Sequence, residues 1–105
     1  MPKPTFELHR RAETALQSLS PRTANKVKKT FELIAENADN LLSFPGKVFK
    51  FAGKFLPANT YMVEATPTLR VVFELGTDGH VLIQHIMHRD WFTLQDKRHE
   101  RTAKN

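Results

Sequence analysis

The 105-residue sequence contains no cysteine. Disulfide bonds and thiolate metal sites are therefore excluded, and stability has to come from packing. No stretch approaches the roughly 18 consecutive apolar residues that a membrane-spanning helix needs. The first residues, Met1 to Phe6, lack the apolar segment of a secretory signal. We therefore expect a cytoplasmic protein that has no membrane partner.

The composition is that of a single globular domain. Hydrophobic residues make up 40% of the chain and charged residues 26%, which is too apolar for a disordered protein. Sixteen Lys and Arg stand against eleven Asp and Glu, for a net charge of +5. This excess favours an anionic partner such as nucleic acid, although many soluble proteins carry a similar charge for solubility alone.

The first forty residues predict one strand and two helices. Residues 3–8 form a short strand that Pro2 and Pro4 confine to a sheet edge or a strand start. Apolar residues then recur at helical spacing over residues 9–19. Ser20 and Pro21 make a good helix start, and an apolar stripe continues from there to Leu41. The gap between the two helices is short, so they should form an antiparallel hairpin.

The second half of the chain predicts an antiparallel sheet. Alternating side chains mark strands at residues 60–65, 69–75 and 80–88, and an Asp-Gly pair within residues 76–79 is a strong hairpin signal. The fold class is therefore α+β: an N-terminal strand, an αα-hairpin and then an antiparallel sheet. We expect residues 1–92 to form the single domain and residues 93–105 to be a frayed, charged tail.

Strand alternation also predicts which side chains share a face. A three-residue loop at Thr66–Thr68 would pair Ala65 with Leu69 and set Glu64 opposite Arg70. The next hairpin can have a two-residue or a four-residue loop. Either length predicts Val81, Ile83, His85 and Met87 on the face of Arg70, with Leu82 and Ile86 facing the helices. Arg89 joins the Arg70 face if the strand has no bulge, and an odd change in loop length would invert the strand.

Two strings of residues then resemble a known family. The strings are Leu69-Arg70-Val-Val-Phe-Glu-Leu75 and Ile86-Met-His88-Arg89-Asp-Trp-Phe92. They are similar to the central strand and the terminal basic pair of RelE/ParE-type toxins. The order of the predicted elements is also the family's. The resemblance extends from about Phe6 to Phe92.

The resemblance implies the toxin of a type II toxin–antitoxin pair, which a partly disordered antitoxin wraps and silences. RelE-like members cleave translated mRNA in the ribosomal decoding site. That cleavage needs no metal or other cofactor, because the ribose 2′-OH attacks the adjacent phosphate and leaves a cyclic phosphate. ParE-like members instead inhibit DNA gyrase and have no nuclease residues.

The resemblance also implies roles for individual residues. Arg70 and Arg89 match arginines that stabilise the phosphate, and the fixed fork of a guanidinium suits that task. Glu64 is a candidate general base, and His85 or His88 a candidate acid. Each has a structural alternative, such as an ion pair of Arg70 with Glu64 or Glu74. The chain departs from the family at Met62 and Glu64, where some members carry two lysines, and at Phe92, where many have tyrosine.

A basic and aromatic segment precedes the sheet. Lys47, Lys50 and Lys54 are candidate contacts to the RNA backbone, whereas Phe49, Phe51 and Phe55 are predicted to be core residues. A metal site made of His80, His85 and His88 is not favoured, because alternation does not bring all three to one face. Two other functions remain open, a ParE-like gyrase inhibitor without catalysis and an inactive module that only binds an antitoxin.

Overall fold

A computed structural model describes residues 6–50 and 59–90, which form two helices and one five-stranded sheet. In chain order the elements are β1 (Phe6–Leu8), α1 (Arg10–Gln17), α2 (Pro21–Glu36), a 3-10 turn (Leu41–Ser43), β2 (Val48–Lys50), β3 (Thr60–Glu64), β4 (Leu69–Leu75) and β5 (Val81–His88). The strand order is β1-β5-β4-β3-β2. The predicted α+β class is confirmed, and β1 joins the sheet by parallel pairing with β5.

Both helices begin at residues that cap their free N–H groups. His9 precedes α1, and its Nδ1 accepts a hydrogen bond from the backbone N of Arg11 at 3.1 Å. Ser20 precedes α2 and its Oγ accepts from the backbone N of Thr23 at 3.4 Å, while Pro21 stands at the first helical position. These caps satisfy donors that a helix start leaves unpaired. None of the helices in the described residues is long and apolar enough to cross a membrane.

The core lies between α2 and one face of the sheet. The predicted apolar stripe of α2 is buried there, and its largest members meet side chains from β3, β4 and β5. Phe6 on β1 lies against Phe31 on α2, with ring centroids 5.4 Å apart. The largest fully buried apolar residues are Val27, Phe31, Ile34, Val63, Val71, Phe73, Val81 and Ile83. Burial of this set supplies most of the driving force for folding.

The hairpin between β4 and β5 departs from the prediction in two places. Its loop has an odd number of residues, because the backbone N of Gly76 donates to the carbonyl of His80 and leaves three residues outside that pair. Gly79 supplies the positive φ of 82° that such a loop needs. A bulge follows in β5, since Phe73 pairs with Ile83 but the preceding Val72 pairs with His85.

The odd loop inverts the first part of β5, and the bulge at Gln84 restores the expected alternation. The assignment of Val81 and Ile83 to the Arg70 face was therefore wrong, and both are fully buried in the core. Leu82 was also misassigned, because it pairs with Glu74 on the other face. Beyond the bulge, His85, Ile86 and Met87 lie on the predicted faces.

The segment before β3 contains a strand that the sequence did not predict. Val48–Lys50 forms β2 at the sheet edge and pairs antiparallel with β3. The neighbouring residues Phe51, Lys54 and Phe55 lie outside the described part of the chain, as do Phe92 and the predicted tail at 93–105.

A core truncation should test this packing. Phe31→Ala is expected to lower the free energy of unfolding by about 3–5 kcal/mol, because it removes a fully buried ring and leaves a cavity. Leu42→Ala is the control, since Leu42 is 96% exposed and its truncation should change stability by less than about 0.5 kcal/mol. Urea unfolding followed by circular dichroism measures both. Equal losses in the two variants would contradict this placement of the core.

Candidate active site at one end of the sheet

The turn between β3 and β4 is the structural centre of the candidate site. β3 ends there, β4 begins there, and β5 ends beside it because neighbouring strands run antiparallel. Within the turn, the Oγ1 of Thr66 accepts from the backbone N of Leu69 at 3.0 Å and of Thr68 at 3.3 Å. The backbone N of Arg89 donates to the carbonyl of Thr68 at 2.9 Å. This end of the sheet therefore collects residues from three strands.

Glu64 and Arg70 form the cross-strand pair that was predicted. They stand directly opposite each other, and Nη2 of Arg70 lies 3.4 Å from Oε1 of Glu64. The arginine side chain is 15% exposed and the glutamate side chain 53%. The carboxylate thus faces solvent at a fixed point beside a cation, a position in which it can accept a proton from a ligand.

Arg70 also stabilises the turn by hydrogen bonds to its backbone. Its Nη1 donates to the carbonyls of Thr66 at 3.1 Å, Leu69 at 3.2 Å and Pro67 at 3.4 Å. A guanidinium carries five N–H donors, so these bonds leave further donors on the same group for a phosphate. The structural and the phosphate-binding interpretations of Arg70 are therefore compatible.

His88 and Arg89 lie at the same end of the sheet, immediately beyond the turn. His88 pairs with Leu69 across the strands, so its side chain alternates away from the face of Arg70, as expected. Its Nδ1 lies 3.1 Å from the backbone N of Asp90 and 3.3 Å from Oδ2 of the same residue. Nδ1 accepts from the backbone when the ring is neutral and donates to the carboxylate when it is protonated. Nε of Arg89 lies 3.8 Å from Oδ1 of Asp90.

His85 occupies a different environment from the other four candidates. It pairs with Val72 on the face of Arg70, and its Nδ1 accepts from the backbone N of Ile86 at 2.8 Å. Burial is the main cause that lowers the pKa of His85, against a smaller raising effect of the Ile86 backbone, and Arg11 and His9 lower it further. An imidazole with a lowered pKa is mostly neutral at pH 7, so it is a poor proton donor there.

The basic segment contributes only part of what the sequence predicts. Lys47 and Lys50 are exposed, and Lys50 pairs with Tyr61, on the face opposite to Arg70. Lys54 lies outside the described residues. Phe49 was predicted to be core, but it is 44% exposed because it stands on an edge strand, opposite Met62. Among the described residues, no group of three or more His, Asp and Glu is placed to hold a metal ion.

The sequence interpretation missed the residues of α1 that meet β5. His9 and Arg11 approach His85 although they precede it by more than seventy positions. Arg11, Thr14 and Ser18 do share one side of the helix by their spacing. That spacing could have marked a polar stripe, but not the element that it faces.

Comparison with known proteins identifies the fold. No family model and no curated protein sequence matches the chain. Solved structures do match. A chain of the RelB–RelE antitoxin–toxin complex from Methanococcus jannaschii has a TM-score of 0.64 at 12% identity, over 84% of this chain and 95% of that chain. YafQ from E. coli has a TM-score of 0.63 at 15% identity, over 84% and 96%.

A chain of the RelBE2 toxin–antitoxin complex from Mycobacterium tuberculosis is similar in the same way, with a TM-score of 0.62 at 20% identity over 83% of this chain and 99% of that chain. At such identities the likeness shows a common fold alone. The chain has the fold of the RelE-like toxins, which confirms the resemblance drawn from its sequence at that level.

Removal of the Arg70 anchor should cost more stability than removal of its ionic partner. Arg70→Met is expected to lower the free energy of unfolding by about 1–3 kcal/mol, because three carbonyls lose their donor. Glu64→Gln should cost less than about 1 kcal/mol, since the carboxylate is more than half exposed. Urea midpoints compare the two variants. A larger loss in Glu64→Gln would contradict the anchoring role of Arg70 in the turn.

The lowered pKa of His85 makes stability depend on pH in a defined direction. Between the ordinary value of about 6.5 and the lower value in the folded protein, the unfolded chain binds more protons. The free energy of unfolding should therefore rise with pH through this window and should lose that contribution as pH falls. Urea midpoints from pH 5 to 8 measure the slope. His85→Gln should flatten it, and an unchanged slope in that variant would assign the effect to other groups.

Proposed function

We propose that this protein is the toxin of a type II toxin–antitoxin pair and that it cleaves translated mRNA without a metal ion. The observation that carries the proposal is the group of Glu64, Arg70, His88 and Arg89 around the β3–β4 turn, on a RelE-like fold. When a hydroxyl attacks a neighbouring phosphate, two arginines can stabilise the phosphate. An exposed carboxylate and an exposed imidazole can transfer the protons.

The reaction balances with these residues alone. Glu64 takes the proton of a ribose 2′-OH, and the 2′-oxygen forms a bond to the adjacent phosphorus. The bond from phosphorus to the 5′-oxygen breaks, and protonated His88 gives that oxygen its proton. The products are a 2′,3′-cyclic phosphate and a 5′-hydroxyl, and no water is consumed. Arg70 and Arg89 stabilise the additional negative charge on the phosphate as the transition state forms.

The strand order suits this division of roles. Glu64 and His88 end two strands that have β4 between them, so their backbones are about 10 Å apart at the usual strand spacing. Arg70 lies on the intervening strand. A phosphate bound at the end of β4, beside Arg70, would then have Glu64 on the face of Arg70 and His88 on the opposite face of the sheet. The attacking and leaving oxygens of an in-line displacement also lie on opposite sides of phosphorus.

We further propose a protein antitoxin as the partner of this chain, and mRNA on the ribosome as its substrate. Several of the similar structures are antitoxin–toxin complexes, among them RelB–RelE and DinJ–YafQ. The net charge of +5 suits an acidic partner segment and an RNA backbone alike. Lys47 and Lys50 are exposed near the sheet edge, where they would contact RNA phosphates outside the cleavage site.

A ParE-like inhibitor of DNA gyrase is the second candidate function. The observation that favours it is the extent to which Arg70 is already used, since Nη1 contacts three carbonyls and Nη2 contacts Glu64. Met62 also stands where some nucleases of the family carry lysine. In this alternative the Glu64–Arg70 pair only holds the sheet end together, and binding surfaces elsewhere would carry the activity.

Mapping of new RNA 5′ ends after expression in a bacterial host tests the nuclease proposal. The wild type should cut within translated frames. The double variant Glu64→Gln, Arg89→Gln should lose these cuts roughly hundredfold or more, because it removes the proposed base and one phosphate contact. The matched control is Arg22→Gln, Glu32→Gln, which makes the same charge changes at exposed positions of α2 and should cut like the wild type.

The other outcomes separate the alternatives. Growth arrest without cuts would contradict the nuclease proposal, and inhibition of purified gyrase would then be the expected finding. If the protein causes no growth arrest and no RNA cuts, a module that only binds an antitoxin becomes the best interpretation. Circular dichroism of the purified double variant establishes that any lost activity does not come from unfolding.

A further inference from the structure

A cleft separates α1 from the second half of β5. Among the described residues, β1 pairs with β5 only at Val81–Ile83, and α1 lies beside β5 at His85. The cleft is open to solvent and has a volume of about 520 Å³. From α1 and its cap it is lined by His9, Arg10, Arg11, Thr14 and Ser18, and from β5 by His85.

The lining of this cleft is cationic. Arg10 and Arg11 give the cleft two positive charges, and none of the carboxylates in the described part of the chain lines it. Arg11 and His9 act electrostatically on His85, which places all three groups within range of one another. A concave surface with one sign of charge concentrates anions from solution.

In both histidines, Nδ1 is engaged by a backbone N–H group, and Nε2 is left as the hydrogen-bond donor. Nδ1 of His9 accepts from the backbone N of Arg11, and Nδ1 of His85 accepts from the backbone N of Ile86. A neutral ring whose Nδ1 accepts carries its hydrogen on Nε2. Each ring therefore has an Nε2–H donor for a ligand. The guanidiniums of Arg10 and Arg11 add forked N–H donors of the kind that bind a phosphate.

We propose that this cleft binds a phosphate group through the Nε2–H groups of His9 and His85 and the guanidinium of Arg11. The position of the cleft in the fold indicates that the phosphate belongs to an RNA strand. His85 pairs with Val72, and Arg70 lies two residues away on the same strand, a diagonal of about 7–8 Å. A phosphate at Arg70 and one in the cleft can therefore be neighbours on a single RNA strand. That RNA source rests on the proposed nuclease function, whereas binding of a phosphate group does not.

The test is a titration of the wild-type protein, followed by the ring resonances of His9 and His85 in two-dimensional ¹H–¹⁵N NMR. One arm adds inorganic phosphate, and the other adds a short 2′-O-methyl RNA that cannot be cleaved. Both rings should shift in a saturable way. A bound anion favours the protonated imidazole, so the pKa of His85 should rise when the cleft is filled.

Variants of Arg11 provide the specificity test. Arg11→Gln should weaken binding roughly tenfold, the usual effect of losing one charge-assisted hydrogen bond. Arg11→Lys, which keeps the charge, should recover part of the loss. The control Arg22→Gln removes the same charge from an exposed position on α2 and should change affinity less than about twofold, the small effect of a charge outside the cleft. Circular dichroism shows that each variant is folded.

Each outcome has a defined meaning. Saturable shifts with RNA at concentrations where inorganic phosphate has no effect support a strand phosphate, and equal responses to both support a small-anion site. Absence of saturable shifts with either probe overturns the proposal. Equal weakening by Arg11→Gln and Arg22→Gln also overturns it, because binding would then follow net charge. If RNA cutting is never observed but phosphate still shifts the resonances of both rings, the nuclease proposal fails and the proposal of a phosphate-binding cleft stands.

Discussion

A buried row of side chains across the three central strands fixes the register of the sheet. Val63, Val71 and Ile86 stand opposite one another in this row, and the first two are fully buried. Because side chains alternate between faces, a slip of one residue would move a polar side chain into the core. The next row outward contains Glu64 and Arg70. The packing that stabilises the domain and the pairing that builds the candidate site therefore follow from the same register.

Two irregularities in the β4–β5 hairpin, an odd loop and a bulge, together place the side chains of β5 on the faces that this register requires. The odd loop closed at Gly76 and His80 would turn β5 over along its whole length. The bulge at Gln84 turns the second half back, so that Ile86 is buried while His85 stays on the face of Arg70. Bulges often re-aim a side chain beside a functional site, and here the re-aimed side chain is the histidine that meets α1.

The charge distribution around the turn connects stability with the proposed chemistry. Arg70 fastens the turn through three carbonyls while its other terminal nitrogen orients Glu64. Arg89 joins the same turn through its backbone, and the cationic cleft at α1 begins one strand away. Positive charge is thus concentrated at one end of a sheet whose fold is shared by the RelE-like toxins. A shared fold does not assign a reaction, which depends on these side chains and on what they contact.

Local patterns determined much of the structure: both helices, the three later strands and the Glu64–Arg70 pair follow from periodicity and from a three-residue loop. Alternation could not count the residues of the next loop or foresee a bulge, so Val81, Leu82 and Ile83 were assigned to the wrong faces. It also predicted Phe49 to be buried, although an edge strand leaves it exposed. The sequence by itself decided which residues carry charge and hydrogen-bonding groups. Only the tertiary structure decided that His9 and Arg11 meet His85, because parallel pairing of β1 with β5 joins distant segments that no local pattern links.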